Sequence, residues 1–533
     1  MTTTVDVVVV GAGINGLVAA AELAEAGHSV LVVDAAARIG GFIDSGERTL
    51  PGYVHDTFSS WHTLFVASGA YSALGRALHD RGLVYRNSDE MVTAATAADG
   101  RVVIAYRDPV RTAEQFEHAA DRQAYAEMLG DMHTRADIVF GALGRELRSI
   151  GSLALAWQMI RGLGPRGGEQ LVHDALASGR AYLRNRFTGW EVDRLWTPWL
   201  LHAGLGPDQA TGGMMLPLMA TTVHGSGLPV VEGGARNFIA AFDELLRTYG
   251  VRFELGRPVD RILVDRGRAI GVGIGDTTIH ARRAILAGVG PEALYCDLLP
   301  ENSVPSAVRA RARRYRYGRG AMQVHVALDG PMRWSDSRLD AVPLVHVGTG
   351  ANGTGVACAQ AEAGLLPQEP TIVVGQQQVL DPTRVPAGKG ALWIQLQEVP
   401  FDPVGDAAGE LVTTNGWDRA LKEGYVHRVL RHIARSAPGL TEAVAAVDVI
   451  APTDLARDNL NAVRGDPYGG SAELDQNLLW RPIPGASAHR TSVRNLWHIG
   501  ASTHPGPGLG AGSGRLVAQT LLSRKRGRRG RLA

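Results

Sequence analysis

Cysteine is nearly absent. Cys296 and Cys358 are the only two in 533 residues, they stand far apart and no CxxC occurs. The chain therefore writes neither a disulfide framework nor a dithiol redox centre, which suits a reducing cytoplasm. An excess of either charge is missing too: 54 Lys and Arg against 53 Asp and Glu leave a formal charge of +1, no field to gather nucleic acid. No HExxH, GxSxG or Cys/His cluster appears, so acyl transfer has no foothold and no metal is expected. The start, MTTTVDVVVV, lacks a basic n-region and a cleavage site, which speaks against a signal peptide. Residues 209–231 contain no Asp, Glu, Lys or Arg, but they carry glycines, two prolines and His224. In lipid such a stretch would strand backbone groups, so it is expected to be buried or to line a pocket, with peripheral membrane contact as the alternative. Six basic residues between Arg524 and Arg531 read as a solvated, disordered end rather than an anionic-lipid anchor.

What is there begins at once. Residues 5–10 are a run rich in β-branched residues, as a strand buried on both faces requires; residues 14–26 are apolar at helical spacing until Gly27, and residues 29–33 make a second strand. Between strand and helix stand Gly11, Gly13 and Gly16. The first permits a tight turn, the second lets backbone approach a pyrophosphate, and the third lets helix lie on strand. Asp34, at the end of the second strand, is placed to accept from a ribose hydroxyl. A dinucleotide is the expected ligand.

Further on the pattern changes. Helix-like stretches cover residues 121–132, 138–147, 153–160, 168–177 and 191–201; strands resume at 322–328, 343–347, 371–375 and 391–398. A chain this long exceeds one core, and with no long linker or fixed-period repeat, two interleaved domains are expected.

Asp34-Ala35-Ala36-Ala37-Arg38-Ile39-Gly40-Gly41, an acid followed by Arg and a glycine pair, resembles the second fingerprint of the flavoprotein amine oxidase and carotenoid desaturase superfamily. Gly500-Ala501-Ser502-Thr503-His504-Pro505-Gly506-Pro507-Gly508 resembles its closing segment, and Val231-Glu232-Gly233-Gly234 with Arg257-Pro258-Val259-Asp260 its central section. The whole chain is similar to the phytoene desaturase-related group. HDTFSSWH, QVHVALDG, LLPQEPTIVVGQ and GASTHPGPG most resemble its branch named pyridine nucleotide-disulfide oxidoreductase domain-containing protein 2.

The resemblance implies an α/β fold: a Rossmann-like FAD-binding domain (residues 1–70, 225–300 and 455–533) interleaved with an α+β substrate domain of mixed sheet and helical block (71–224 and 301–454). It implies FAD held by Gly11, Ala12, Gly13, Ile14, Asn15 and Gly16; by Asp34, Ala35, Arg38, Gly40, Gly41 and Phe42; by Val259 and Gly288; and by Gly500, Ala501, Gly508 and Leu509. Asp34 stands where relatives usually carry Glu, and Gly500-Ala501 replaces the Gly-Asp pair of flavin hydroxylases, which argues against a monooxygenase. A second GxGxxG, at Gly348, Gly350 and Gly353, raises a separate NAD(P)H site, yet the strand after it ends in Gly375 and glutamines with no acid for a ribose.

A flavin carries the redox chemistry itself and leaves the protein to place a C–H bond and exclude water. The expected activity is removal of a hydride from a mainly apolar small molecule to form C=C or C=N. The alternatives are a redox-neutral isomerase using reduced FAD, an amine oxidase, and a non-catalytic prenyl- or lipid-binding escort. Trp157, Trp190, Trp196, Trp199, Met214, Met215 and Met219 are candidates to line an apolar pocket. His62 and His504 flank the flavin motifs and are the catalytic candidates, ahead of His55, Trp61, His202, His224 and Tyr468.

Overall fold

The computed structural model describes residues 3–147, 161, 164 and 166–529. The helix expected over 153–160, with Trp157, lies outside the described residues. Two seven-stranded sheets organise the rest. In the first, Thr3–Val10 lies between Thr277–Ala287 and Val30–Val33, all parallel, and Arg252–Glu254 extends that edge. Leu496–His498 joins Thr277–Ala287 in parallel. Val7 and Val9 face one core with the helix Ile14–Glu25; Val5, Val8 and Val10 face another. Burial on both faces is why this strand shows no alternation in sequence.

Helix Arg236–Thr248 buries Phe238, Ala241, Phe242, Leu245 and Leu246 against that first core, an i, i+3, i+4, i+7 stripe of about two turns. The last helix, Gly512–Arg529, packs along Ile14–Glu25, and Arg515 Nε donates to Glu22 Oε1 across the contact at 2.8 Å. Its backbone stays helical to Arg529, where a disordered end was expected. Once packing nucleates the helix, Lys and Arg are good residues to propagate it.

The second sheet runs Val444–Ile450, Gly320–Leu328, Gly390–Val399, Ile372–Gly375, Leu344–Val347, Met91–Thr96, Val102–Tyr106. It is antiparallel except between Leu344–Val347 and Met91–Thr96. One face holds Met322, Val324, Leu392, Ile394 and Leu396 against helix Arg419–Ala434. Part of the other meets the helical block, with Trp196, Trp199 and Leu216 packed on Ala95, Leu344 and Trp393.

Within that block Ala119–Leu143 is one continuous helix, where the sequence reads as two. The polar residues that look like a break are paired instead, Arg135 with Asp131 and Asp174. Glu191–Leu201 is helical as expected. The uncharged stretch folds as helix Gly212–Ser226, with Leu216, Ala220 and Val223 buried in the same core. No described helix is long and apolar enough to cross a membrane.

Candidate functional site

The glycine turn has the geometry its spacing predicts. Gly11 sits at φ +100°, and a Cβ there would come within 3.0 Å of the Gly288 carbonyl oxygen. At Gly16 a Cβ would be driven into the Gly11 carbonyl. Gly13, by contrast, faces open space, with no protein atom within 4 Å of an added Cβ. It is the N-cap of Ile14–Glu25 and no side chain caps that helix, so the first-turn amides are left for a ligand. Asp34 is more occupied than a bare ribose acceptor: Oδ2 accepts from Ala12 N at 2.5 Å and Oδ1 from Ala36 N at 2.8 Å. Each oxygen keeps a second acceptor site, and the carboxylate fixes the turn through Ala12 as well as the bend through Ala35.

Other segments close on this turn. Gly40 N donates to Ala12 O at 2.8 Å, and a Cβ on Gly41 would come within 3.4 Å of Gly13 Cα. Arg38 reaches Gly41 O and Ile43 O and pairs with Asp44, so it braces the glycine pair from outside. Gly256 and Arg257 donate to Ala36 O and Asp34 O, which brings Val259 to the end of the second strand, packed beside the core of Val33 and Leu31. Gly288 N donates to Val10 O at 2.7 Å, and Ile499 N to Ala287 O; Gly500 then passes 3.7 Å from Gly288 Cα, measured from its added Cβ. Ser513 Oγ accepts from Gly500 N at 3.0 Å. Gly514 N donates to Asn15 Oδ1 at 3.1 Å, so the last helix meets the first at their N-terminal turns. Two positive helix ends converge there. Leu509 packs on the same core, and Gly508, at φ +122°, lies against Leu64.

Three supports escaped the sequence reading. Asn461 clips both Gly288 O (2.8 Å) and Gly290 N (3.2 Å). Buried Arg481 donates twice to Ala501 O, at 3.1 and 2.7 Å, and to Tyr468 O. Asp466 gathers the amides of Gly318, Tyr468 and Gly470, each at 2.7 Å, and so tucks Gly469 under Ala501. A run such as DPYGG reads as an ordinary turn until its partners are known.

From Gly41 the chain crosses to the second sheet. Phe42 lies tilted against Phe58, ring centroids 5.0 Å apart, and Phe58 packs on Ala321 and Ile450. Trp61 stands edge-on to Trp393 at 6.4 Å. Asp56 holds this segment in place through an ion pair with Arg384 at 2.7 Å, itself paired with Asp381, all three within 2% of full burial. Replacing Arg384 with Leu leaves two carboxylates buried without their cation and is expected to cost about 3–5 kcal/mol. Urea unfolding of the purified variant measures it.

The sheet face beneath carries a polar row. His346, Val373, Gln395 and Gln323 are successive cross-strand partners. Gln397 Nε2 donates to Gln395 Oε1 at 2.9 Å, and Gln395 Nε2 contacts Gln323 Oε1 at 3.4 Å. Gln323 Nε2 and Gln397 Oε1 have no partner. Beside them burial pushes the Glu398 carboxyl up to about 7, although the amides of Thr371 and Gln397 and the charge of Arg319 pull the other way.

The histidine candidates are built in rather than free. His62 is fully buried, its Nδ1 2.9 Å from Tyr85 OH and its ring edge-on to Phe238; burial lowers its pKa to about 4. His504 Nε2 contacts Ala142 O at 3.0 Å, its own carbonyl accepts from His489 Nε2, and burial lowers it to about 4 as well. Both are neutral at pH 7. His55 contacts Thr49 Oγ1, His202 faces His346 across 3.2 Å while stacking on Trp199, and His224 lies between Tyr125 OH and Tyr106 O. Tyr468 has its ring against Gly204. Trp196 Nε1 donates to Tyr125 OH and Trp190 Nε1 to Glu117; Met215 and Met219 edge the same core.

The second glycine motif is already filled. Gly350 caps helix Ala351–Glu362, and Asp193 from helix Glu191–Leu201 accepts from Ala351 N at 2.8 Å. A carboxylate thus holds the place a phosphate would need, which removes the case for a nucleotide there.

Comparison with known proteins agrees with this geometry. Residues 14–520 match the family described as flavin containing amine oxidoreductase. The rat pyridine nucleotide-disulfide oxidoreductase domain-containing protein 2 is 24% identical over 97% of this chain and 93% of its own. A phytoene desaturase of Fusarium fujikuroi is 23% identical over 97% of this chain and 89% of its own. The crystal structure of an oxidoreductase from Methanosarcina mazei superimposes with a TM-score of 0.64 at 14% identity, covering 98% of this chain and all of that one. The uncapped turn at Gly13, the two converging helix ends and the glycine pair folded onto them fit the pyrophosphate of a flavin dinucleotide. The chain belongs to the flavin containing amine oxidoreductase family and is an FAD-dependent oxidoreductase.

Proposed function

We propose that the protein desaturates a mainly apolar small molecule, removing a hydride from one carbon while its neighbour releases a proton to water, to leave a C=C bond. Bound FAD supplies the two-electron acceptor that this oxidation needs. The observation that carries the reading is full-length similarity to carotenoid desaturases, among them the Fusarium phytoene desaturase and, at 26% identity, a hydroxyneurosporene desaturase of Cereibacter sphaeroides. The packing is consistent with it. Trp196, Trp199, Leu216 and Val223 form a buried apolar wall packed on the second sheet, which keeps water from that side of the sheet. The chain's own work is positioning. Asp56 and Arg384 fix the segment that leaves Gly41, and the neutral rings of His62 and His504 hold backbone and aromatic neighbours in register.

Anaerobic mixing with isoprenoid and lipid panels tests this. The true substrate bleaches the yellow absorbance and yields a product two hydrogens lighter. A product of unchanged mass points to isomerisation instead, and bleaching by amines alone sinks the desaturase reading.

A further inference from the structure

We propose that Gln323, Gln395 and Gln397 recognise the substrate, and that it carries a neutral hydrogen-bonding oxygen, a ketone or hydroxyl, on its otherwise apolar frame. The inference rests on the apolar-substrate reading above and narrows it.

The three amides form a directional chain. Gln397 donates to Gln395 and Gln395 reaches Gln323, which leaves one free acceptor, Gln397 Oε1, at one end and one free donor, Gln323 Nε2, at the other. All three residues are at least 95% buried. An unpaired amide at such depth is costly, and folded proteins rarely keep one without use. These ends are not isolated orphans. Trp61 Nε1, Trp199 Nε1, His346 Nδ1 and Trp393 Nε1 also lack partners, and every one lies on or against the same sheet face: Trp393 and His346 by strand register, Trp61 edge-on to Trp393, and Trp199 edge-on to His346. That face is covered by the segment leading from the Gly40–Gly41 turn, so it sits between the cofactor motifs and the apolar wall.

The charges around the row are spoken for. Asp448 pairs with Arg48 and His325, Asp56 with Arg384, and Glu398 takes the amides of Thr371 and Gln397. Arg319 is tied through its terminal nitrogens to Glu362 and Gly204 O. Beside the row Asp448 and Asp56 are already ion-paired and burial raises Glu398 to about 7, so an ammonium meets no unpaired, fully charged carboxylate there. A pure hydrocarbon leaves both amide ends unmet, whereas a neutral ketone or hydroxyl oxygen accepts from Gln323 Nε2. Sites built to bond an oxygen discriminate steeply against analogues that lack it.

The test titrates the flavin-loaded protein with decane, decan-2-one, decan-2-ol, decylamine and decanoate, reading flavin absorbance and calorimetric heat. The ketone and alcohol are expected to bind at least tenfold tighter than the other three. Gln323→Leu should bring the ketone down to the level of decane, while flavin content and decane binding stay unchanged. Gln397→Leu, which removes the amide that bonds Gln395 Oε1, should shrink the ketone's advantage over decane. If a leucine variant loses its flavin, the ranking of probes on the unaltered protein decides alone. Equal binding of ketone and decane overturns the inference and leaves the apolar reading standing, with water serving the amides. Tightest binding by decylamine or decanoate overturns it in favour of a charged substrate. Failure of every probe, decane included, takes the apolar reading down with it.

Discussion

Gly13→Val and Gly514→Ala are expected to abolish FAD retention by different routes, and the difference is diagnostic. A Cβ at Gly13 meets no protein atom within 4 Å, and its backbone, at φ −73°, suits any residue. The apoprotein should therefore melt within about 0.5 kcal/mol of the parent. The new methyls, however, stand in front of the first-turn amides of Ile14–Glu25, where the coenzyme's phosphates would approach. FAD affinity should fall by a hundredfold or more. At Gly514 the added Cβ is driven into the backbone carbonyl of Asn15, which has no rotamer to escape into. The two helices must part, breaking the Gly514 to Asn15 bond and the approach of Ser513 to Gly500. Overpacking of this kind costs about 1–3 kcal/mol, so stability and coenzyme are lost together. Flavin-to-protein ratio after gel filtration, paired with melting of the stripped protein, separates the two. A Gly13→Val protein that holds FAD as tightly as its parent would mean the turn faces something else.

How far the sequence shows such a site depends on distance along the chain. Gly11, Gly13, Gly16 and Asp34 fall within one βαβ unit, and their spacing alone carries the geometry. Gly40, Gly288 and Gly500 are readable only through resemblance, because nothing local says that Gly288 will bond Val10. His504 shows the limit most clearly. Its place in a flavin motif marks it as a catalytic candidate, but spacing does not encode side-chain direction, and the ring turns to Ala142 O. The glutamine row was hidden for a related reason. In LWIQLQEV the alternating Gln gives no sign of burial, and only the pairing of Gln395 with Gln323, 72 residues away in sequence, shows that face to be interior. Arg384 and Arg481 mislead likewise: composition assigns arginine to the surface, while here both are nearly fully buried with their partners.

Mild acid should unfold the protein well before its exposed carboxylates titrate. His62, His224, His498 and His504 are 7% exposed or less, and burial lowers each to about 4 from an ordinary 6.5. Their neutral rings are locked in: His224 between Tyr125 OH and Tyr106 O, His498 against Val289 O. The unfolded chain takes up protons on these residues from about pH 6.5 downward, whereas the native protein takes them only near pH 4. Over that window the unfolded state binds more protons, so stability falls as pH falls. At pH 5 each histidine forfeits on the order of 2 kcal/mol, and four together forfeit a large share of the 5–15 kcal/mol that typically holds a domain. His55, lowered to about 3 by burial and the neighbouring His325, adds to the same loss. Melting temperature followed by circular dichroism should be level from pH 8 to about 7, then drop steeply between pH 6.5 and 5, with release of the flavin in the same interval. A flat profile down to pH 5 would show that these rings gain protons in place, through openings the packed histidines do not have here.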